Sequence, residues 1–258
     1  MVRMDPTKRF SARADVYAQA RPTYPAQVLE ILREHHGLHE GAVVADLGAG
    51  TGIFTRLLLE VGAIVHAVEP NDDMRAEAER TFAGHPRFSS VAARAEATTL
   101  ATSSVDLVTA AQAFHWFDVE PTRREIVRVL RPEGHAAFVW NDRDLDGTAF
   151  LRDFEVVLQQ HCPGYRELQG KSKGAADKFD AFFGHGEWSR HTAPNAQRLD
   201  RVGLVRRVMS TSYAPRPGTK EHEALVAALE HLFDQHALEG AVTISYTAVV
   251  IGGRPRRP

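Results

Sequence analysis

Short apolar runs alternate with amphipathic patterns over the first 140 residues of the chain. Alternation of strand and helix patterns is typical of a parallel, doubly wound α/β sheet, which binds ligands outside the carboxyl ends of its strands. Apolar runs predict five strands, at 42–45, 63–68, 88–93, 105–111 and 135–140. Apolar residues at helical spacing predict the intervening helices, at 26–36, 53–60, 71–82 and 119–130.

The alternation breaks after Asn141. Residues 142–195 contain one amphipathic stretch, 148–161, and then an irregular region rich in aromatic side chains. Such a segment is either a lid over the strand ends or a peripheral subdomain that only packs. Farther along, the pattern predicts helices over 199–208 and 221–233, and an abundance of Val, Ile, Thr and Tyr predicts a last strand over 241–251.

A glycine-rich loop, residues 46–52, joins the first strand to its helix and reads Asp-Leu-Gly-Ala-Gly-Thr-Gly. Glycine adopts positive φ and lets a ligand approach the main chain, so the loop predicts a platform for a bound molecule. Its spacing departs from the dinucleotide fingerprint G-x-G-x-x-G. Glu69 ends the second strand, 21 residues after Gly48, where a carboxylate accepts hydrogen bonds from ribose hydroxyls. These features fit any adenosine ligand.

Composition and charge narrow the class of protein. The chain has 258 residues, 43% of them hydrophobic and 25% charged, which suits one large α/β domain with an elaboration or two small domains. A net charge of -2 argues against broad electrostatic binding of nucleic acid or of acidic membranes. The single cysteine excludes an intrachain disulfide, and neither a signal peptide nor a membrane span is evident. We therefore expect a cytoplasmic protein that acts on small molecules.

Taken together, the motifs resemble the class I S-adenosylmethionine-dependent methyltransferases over residues 40–140. Segments 10–25 and 111–117, with Ser210–Tyr213 and 244–246, more narrowly resemble the small-molecule subfamily that includes trans-aconitate methyltransferase and fungal bis-thiomethyltransferase relatives. The motifs that carry the wider resemblance are the glycine loop, Glu69-Pro70, Ala95-Glu96, Val105-Asp106-Leu107-Val108 and Leu130-Arg131-Pro132-Glu133-Gly134.

This resemblance implies a doubly wound, mostly parallel, seven-stranded Rossmann-like sheet with a helical lid or insertion after the fifth strand. It divides the chain into four parts. These are an N-terminal helical cap (1–37), a donor-binding core (38–141), a lid or substrate insertion (142–198) and a C-terminal segment that completes the sheet (199–258). The protein is expected to be a monomer or a homodimer.

The same resemblance implies that S-adenosylmethionine is the methyl donor and S-adenosylhomocysteine the product. Asp46 organises the loop, Glu69 binds the ribose, Pro70 and Met74 enclose the adenine, and Arg21 closes over the methionine carboxylate together with a neighbouring tyrosine. Relatives often carry an aspartate where this chain has Arg94, which puts the hydrogen bond to the adenine amino group in doubt. The implied donor site is Tyr17, Arg21, Asp46, Gly48, Ala49, Gly50, Thr51, Gly52, Glu69, Pro70, Met74, Ala95, Glu96, Gln112 and Ala113.

Aromatic residues beyond the fourth strand suit the acceptor side, because a sulfonium cation is favoured beside aromatic faces. His115 is the candidate general base, since imidazole titrates near neutrality and can take a proton from a hydroxyl, amine or thiol. The alternative is a histidine that only orients the loop, and an acceptor that is already ionised needs no base. The expected acceptor pocket is Tyr24, Phe114, His115, Trp116, Phe117 and Trp140.

The predicted function is in-line methyl transfer from S-adenosylmethionine to an O, S, N or C nucleophile of a small molecule, without a metal ion. Two alternatives stay open on the sequence alone. One is a nicotinamide-dependent oxidoreductase, and the other is a non-catalytic nucleoside-binding protein of the same fold. A nucleic-acid methyltransferase is disfavoured because the chain has neither net basic charge nor an added recognition module.

Overall fold

The computed structural model describes residues 20–165 and 175–257. In this part of the chain, seven strands form one sheet in the order β3-β2-β1-β4-β5-β7-β6. In chain order, the strands are β1 (Val43–Leu47), β2 (Ile64–Val68), β3 (Phe88–Val91), β4 (Val105–Ala111), β5 (Leu130–Arg143), β6 (Trp188–Leu199) and β7 (Val242–Gly253).

The sheet is mostly parallel. Strands β1 to β5 pair in parallel, whereas β7 lies antiparallel between β5 and β6. The chain runs outward from β1 through β2 to β3 and then returns to place β4 on the other side of β1. Ligands of doubly wound sheets bind at such a switch point, outside the carboxyl ends of β1 and β4. The predicted seven-stranded Rossmann-like fold is confirmed.

Helices cover both faces of the sheet. They are α1 (Ala26–His36), α2 (Ile53–Glu60), α3 (Asp72–Thr81), α4 (Val119–Val129), α5 (Ala149–His161), α6 (Ala175–Phe183), α7 (Arg201–Met209) and α8 (Lys220–His236). One apolar cluster joins α1 and α2 to one face, a second joins α4 and α6 to the other, and a third joins α5, α7 and α8 to β7. Among these helices, none is both long and apolar enough to cross a membrane.

Strand β6 departs from the expected organisation. All of its residues except Leu199 fall within the segment 142–198 predicted as a lid or substrate insertion, yet they pair with β7 from Trp188 opposite Gly253 to Leu199 opposite Val242. They are largely polar because an edge strand is partly exposed and needs no apolar run, and Pro194 is tolerated at a sheet edge. The lid prediction is therefore wrong for these residues. Of the helices in the predicted lid, α6 lines the cavity described below, and Arg190 of β6 lines it as well.

Four histidines cluster near the C-terminal end of α1. The rings of His35 and His191 stack at 4.1 Å, and His135 lies 5.9 Å from His36. His36 is only 1% exposed, and within the described residues neither of its ring nitrogens has a hydrogen-bond partner. Burial, with smaller contributions from His135, His191 and His35, lowers the pKa of His36 to about 4. His36 is therefore neutral in the folded protein near neutral pH.

We predict that His36 makes the fold sensitive to acid. Unfolded His36 regains an ordinary pKa and binds a proton between about pH 6.5 and 4 that the folded protein does not bind, so its contribution to stability falls as the pH falls. Between pH 6 and 5, the unfolding free energy of the wild type should drop by about 1 kcal/mol relative to His36→Leu. Chemical denaturation of both proteins at these pH values measures the difference. If the difference in unfolding free energy between the two proteins is the same at pH 6 and pH 5, the prediction is wrong.

Candidate active site

A cavity of about 550 Å³ opens at the carboxyl ends of β1, β2, β4 and β5. Its volume lies in the range of small-molecule binding sites. The cavity brings together most of the residues that the sequence singled out, although these are spread over 120 positions. The predicted residues that line it are Arg21, Gly48, Gly50, Glu69, Pro70, Met74, Ala95, Glu96, Gln112, Ala113, Phe114, His115, Trp116, Phe117 and Trp140.

The glycine loop forms the floor of one half of this cavity. Gly48 has a φ of +67°, and its N–H donates to the carbonyl of Val68 at 2.8 Å. A Cβ atom at Gly48 would lie 2.6 Å from the Cβ of Ala113, whereas one at Gly50 would meet nothing within 4 Å. Gly48 is therefore required for close packing of β1 against the end of β4, and the main chain at Gly50 is open to the cavity.

Glu69 links the glycine loop to the start of α3. Its carboxylate accepts hydrogen bonds from the Gly50 N–H at 2.9 Å and from the Asn71 N–H at 2.8 Å. Burial raises the pKa of Glu69, although these two N–H groups and the charge of Arg75 oppose that shift. A carboxylate has room for about four hydrogen bonds. Glu69 therefore keeps acceptor capacity for a ligand in the cavity that it lines.

Asp46 supports the loop from below and does not line the cavity. It is 1% exposed, and its two oxygens accept hydrogen bonds from the hydroxyls of Thr55 at 2.7 Å and Thr109 at 3.0 Å. Burial raises the pKa of Asp46 to about 6, while the two hydroxyls oppose the rise and the charge of Glu69 adds to it. The side chain thus ties β1 to α2 and β4. Its predicted role in organising the loop fits this position.

Several other predicted residues lie away from the cavity. Ala49 is not part of the lining, Thr51 is 4% exposed, and Gly52 packs against Phe82. Tyr24, which we expected in the acceptor pocket, is instead buried in the core beneath α1, where its ring meets that of Phe54 edge-on at 5.1 Å. This placement corrects the prediction for Tyr24. Tyr17 lies outside the described residues.

Gln112 follows β4 with a backbone that non-glycine residues rarely adopt. Its φ is +57°, and its N–H donates to the carbonyl of Val139 at 2.8 Å. The side-chain amide donates to the carbonyl of Asn141 at 3.3 Å. Left-handed conformations of non-glycine residues cost on the order of 1–3 kcal/mol and concentrate at functional sites. At Gln112, the bonds to β5 hold this conformation at the cavity wall.

Arg21 reaches the cavity because the chain around it is fastened to the sheet. The carbonyl of Thr23 accepts hydrogen bonds from Asn195 at 2.8 Å and from Asn141 at 3.2 Å. The Arg21 guanidinium donates to the carbonyl of Ser210 at 3.3 Å. Strands β5 and β6 therefore position a residue that precedes α1.

Aromatic rings build the second half of the cavity. Phe114 stacks on Phe138 at 4.0 Å and on Phe179 of α6 at 5.7 Å, and Trp140 meets Phe179 at 5.7 Å. Phe114 belongs to a short 3₁₀ turn, Phe114–Trp116. On this turn, His115 is exposed, with its ring 4.7 Å from that of Trp116.

Other lining residues were not predicted from the sequence. The sequence could have indicated Asn71, because asparagine is a common N-cap residue. Its side chain caps α3 by accepting a hydrogen bond from the Met74 N–H at 2.9 Å. Arg94 pairs with Glu96 at 3.4 Å. Ala111, Ser212 and Tyr213 belong to segments that carry the resemblance, whereas the others come from separate strands and helices and belong to no local motif. Besides Asn71 and Arg94, they are Ala111, Asp142, Lys178, Phe179, Arg190, Ser212, Tyr213, Val249 and Ile251.

Comparison with known proteins finds a matching family model and related sequences. A family model described as a methyltransferase domain matches residues 45–138. An uncharacterized methyltransferase of Schizosaccharomyces pombe is 30% identical over 217 residues, which span 84% of this chain and 83% of the yeast protein.

Solved structures share the fold at lower identity. A proposed type II methyltransferase from Anaeromyxobacter dehalogenans has a TM-score of 0.62 at 23% identity, covering 91% of this chain and 97% of that one. A phosphoethanolamine N-methyltransferase of Haemonchus contortus, solved with phosphomonomethylethanolamine and S-adenosylhomocysteine, has a TM-score of 0.53 at 15% identity. That match covers 98% of this chain and 59% of the nematode protein.

Proposed function

The chain belongs to the class I S-adenosylmethionine-dependent methyltransferases, and on this premise we propose that it methylates a small molecule bound in the same cavity as the donor. One observation carries the proposal. A single cavity joins the polar half around Glu69 and the glycine loop to the aromatic half around Phe114 and Trp140. Donor and acceptor bound in these two halves would meet above the end of β4, beside Gln112.

The residues of the polar half fit the donor. Gly50 offers open main chain, and the Glu69 carboxylate retains acceptor capacity suited to ribose hydroxyls. Pro70 and Met74 offer apolar surface to the adenine, and Arg21 offers a guanidinium to the methionine carboxylate. Bound S-adenosylmethionine supplies a methyl group on a positively charged sulfur. No metal or covalent enzyme intermediate is needed to release it to a nucleophile.

The aromatic half serves the transfer by positioning and by excluding water. In-line displacement needs a nucleophile that is close and aligned, which a walled cavity provides. Phe114 and Trp140 line this half, and aromatic rings favour a neighbouring cation. His115, on the turn beside them, takes the proton from a hydroxyl, amine or thiol as the new bond to carbon forms.

We predict that Gly48→Ala weakens binding of S-adenosylhomocysteine about tenfold. The new Cβ would lie 2.6 Å from the Cβ of Ala113, so the loop or the end of β4 must shift. Gly41→Ala is the matched control, because its φ of +80° imposes similar backbone strain but a Cβ there meets nothing within 4 Å. Calorimetric titration of both variants measures the affinities. Equal affinities in the two variants would contradict a donor platform at Gly48.

The proposed function is tested by binding and by turnover. Calorimetry should show binding of S-adenosylhomocysteine and none of NAD(H), and the reverse result would refute the proposal. Incubation with S-adenosylmethionine and a panel of small hydroxyl, thiol, amine and carboxylic compounds should then give a product heavier by one methyl group. Donor binding without a methylated product from any panel member would favour a non-catalytic binding protein.

A further inference from the structure

The aromatic half of the cavity extends across the outer strands of the sheet. Trp140 of β5 lies opposite Val249 of β7, and Ile251 of β7 lies opposite Arg190 of β6. Paired residues of antiparallel strands share a face, as do residues two apart, so these four side chains lie on one side of the sheet. With strands about 4.8 Å apart, the backbone of Arg190 is about 14 Å across the sheet from β4. Arg190 thus marks the outer end of the aromatic half, away from Gln112.

Helix α6 brings a second cation to this end. The indole N–H of Trp188 on β6 donates to the carboxylate of Asp180 at 2.7 Å, and the Trp188 ring lies 5.6 Å from that of Phe179. These contacts fasten α6 over the beginning of β6. Lys178, the residue before Phe179, lines the cavity from there, as does Arg190, two residues after Trp188.

Among the residues that line this end of the cavity, cations outnumber carboxylates, since Asp180 bonds to Trp188 and does not line the cavity. Neither Lys178 nor Arg190 forms an ion pair within 4 Å among the described residues, whereas the lining residue Arg94 pairs with Glu96. The nearby lining acid is Asp142, and burial raises its pKa while Arg190 opposes that rise. Two cations therefore face one carboxylate in a pocket whose walls are aromatic.

We propose that the acceptor is a flat, apolar molecule that carries an anionic group such as a carboxylate. Its apolar body would lie against Trp140 and Phe179, and its anionic group would point toward Arg190 and Lys178. The atom that receives the methyl group would then sit at the opposite end, near Gln112 and His115. This inference rests on the proposed function, because it assumes that the aromatic half holds the acceptor.

Binding of 2-naphthoate and of its neutral isostere 2-naphthamide tests the proposal. Calorimetry with protein saturated by S-adenosylhomocysteine should show 2-naphthoate binding about tenfold more tightly, as expected for one hydrogen bond to a charged group. The double variant Arg190→Met/Lys178→Met should lose this preference. Arg198→Met should keep it, since Arg198 lies on the same strand but outside the cavity. Both positively charged residues that are replaced are exposed, so the variants should fold.

The possible results separate the two levels of inference. If the wild type does not bind S-adenosylhomocysteine, the proposed function itself is refuted. With that binding intact, the anionic acceptor is refuted if 2-naphthoate does not bind or if 2-naphthamide binds equally well. It is also refuted if the double variant retains the preference. Tighter binding of the cation 2-naphthylmethylamine would likewise overturn it and would identify Asp142 as the group that recognises the acceptor.

Discussion

Replacing His115 with alanine should lower turnover by about a hundredfold or more while changing the affinity for S-adenosylhomocysteine less than about twofold. Positioned general bases contribute about 10²- to 10⁴-fold to a rate, and His115 lines the cavity on the turn beside Trp116. The residue is exposed, so its removal should not disturb the core. Turnover is measured with an acceptor found by the mass-gain panel, and donor affinity by calorimetry.

Two further measurements separate proton transfer from positioning. His115→Gln keeps a hydrogen-bonding side chain but cannot act as a base near neutral pH, so it should be as slow as His115→Ala. Raising the pH should restore the turnover of His115→Ala, because an acceptor that is ionised in solution no longer needs the imidazole as a base. If glutamine preserves activity, His115 is a positioning residue. Full activity of the alanine variant would eliminate both roles.

Glu69→Ala should weaken binding of S-adenosylhomocysteine by about 10- to 150-fold, equivalent to about 1.5–3 kcal/mol for hydrogen bonds to a charged group. The carboxylate faces the cavity and also accepts from the N–H groups of Gly50 and Asn71. Its loss removes the ligand's hydrogen-bond acceptor and leaves two N–H groups of the binding loops without their partner. Calorimetric titration measures the affinity, and thermal unfolding checks that the variant is folded.

Glu69→Gln isolates the contribution of the charge. Its amide oxygen can still accept from one of the two N–H groups, so the loops should be less disturbed than in the alanine variant. Since burial raises the pKa of Glu69, wild-type affinity should also fall on acidification at a higher pH than an ordinary glutamate would require, and Glu69→Gln should lack this dependence. Wild-type affinity in the glutamine variant would show that the charge is not used.

The donor half of the site was largely predictable because its signals are local. The glycine loop follows directly after β1, and Glu69 follows β2, so each motif is read within a few residues of a buried strand. Central strands that are buried on both faces appear as continuous apolar runs, which is why β1 and β4 were found. Parallel strands then bring these strand ends to one edge of the sheet.

The acceptor half was not predictable in the same way. Its wall combines the end of β5, helix α6 and strands β7 and β6, and the exposed edge strand β6 carries no continuous apolar run to reveal it. The position of Tyr24 could not be predicted from the sequence either. An aromatic residue near a motif can face the cavity or the core, and Tyr24 packs against Phe54 in the core.

The sequence by itself determined the α/β fold, the position of the glycine loop and the carboxylate that follows β2. Those features depend on short-range patterns of burial and on backbone conformations that few residues adopt. Only the tertiary structure decided that β6 completes the sheet and that Lys178 and Arg190 share one end of the cavity. The physical reason is that pairing of distant strands and docking of α6 create these contacts, and no local pattern records them.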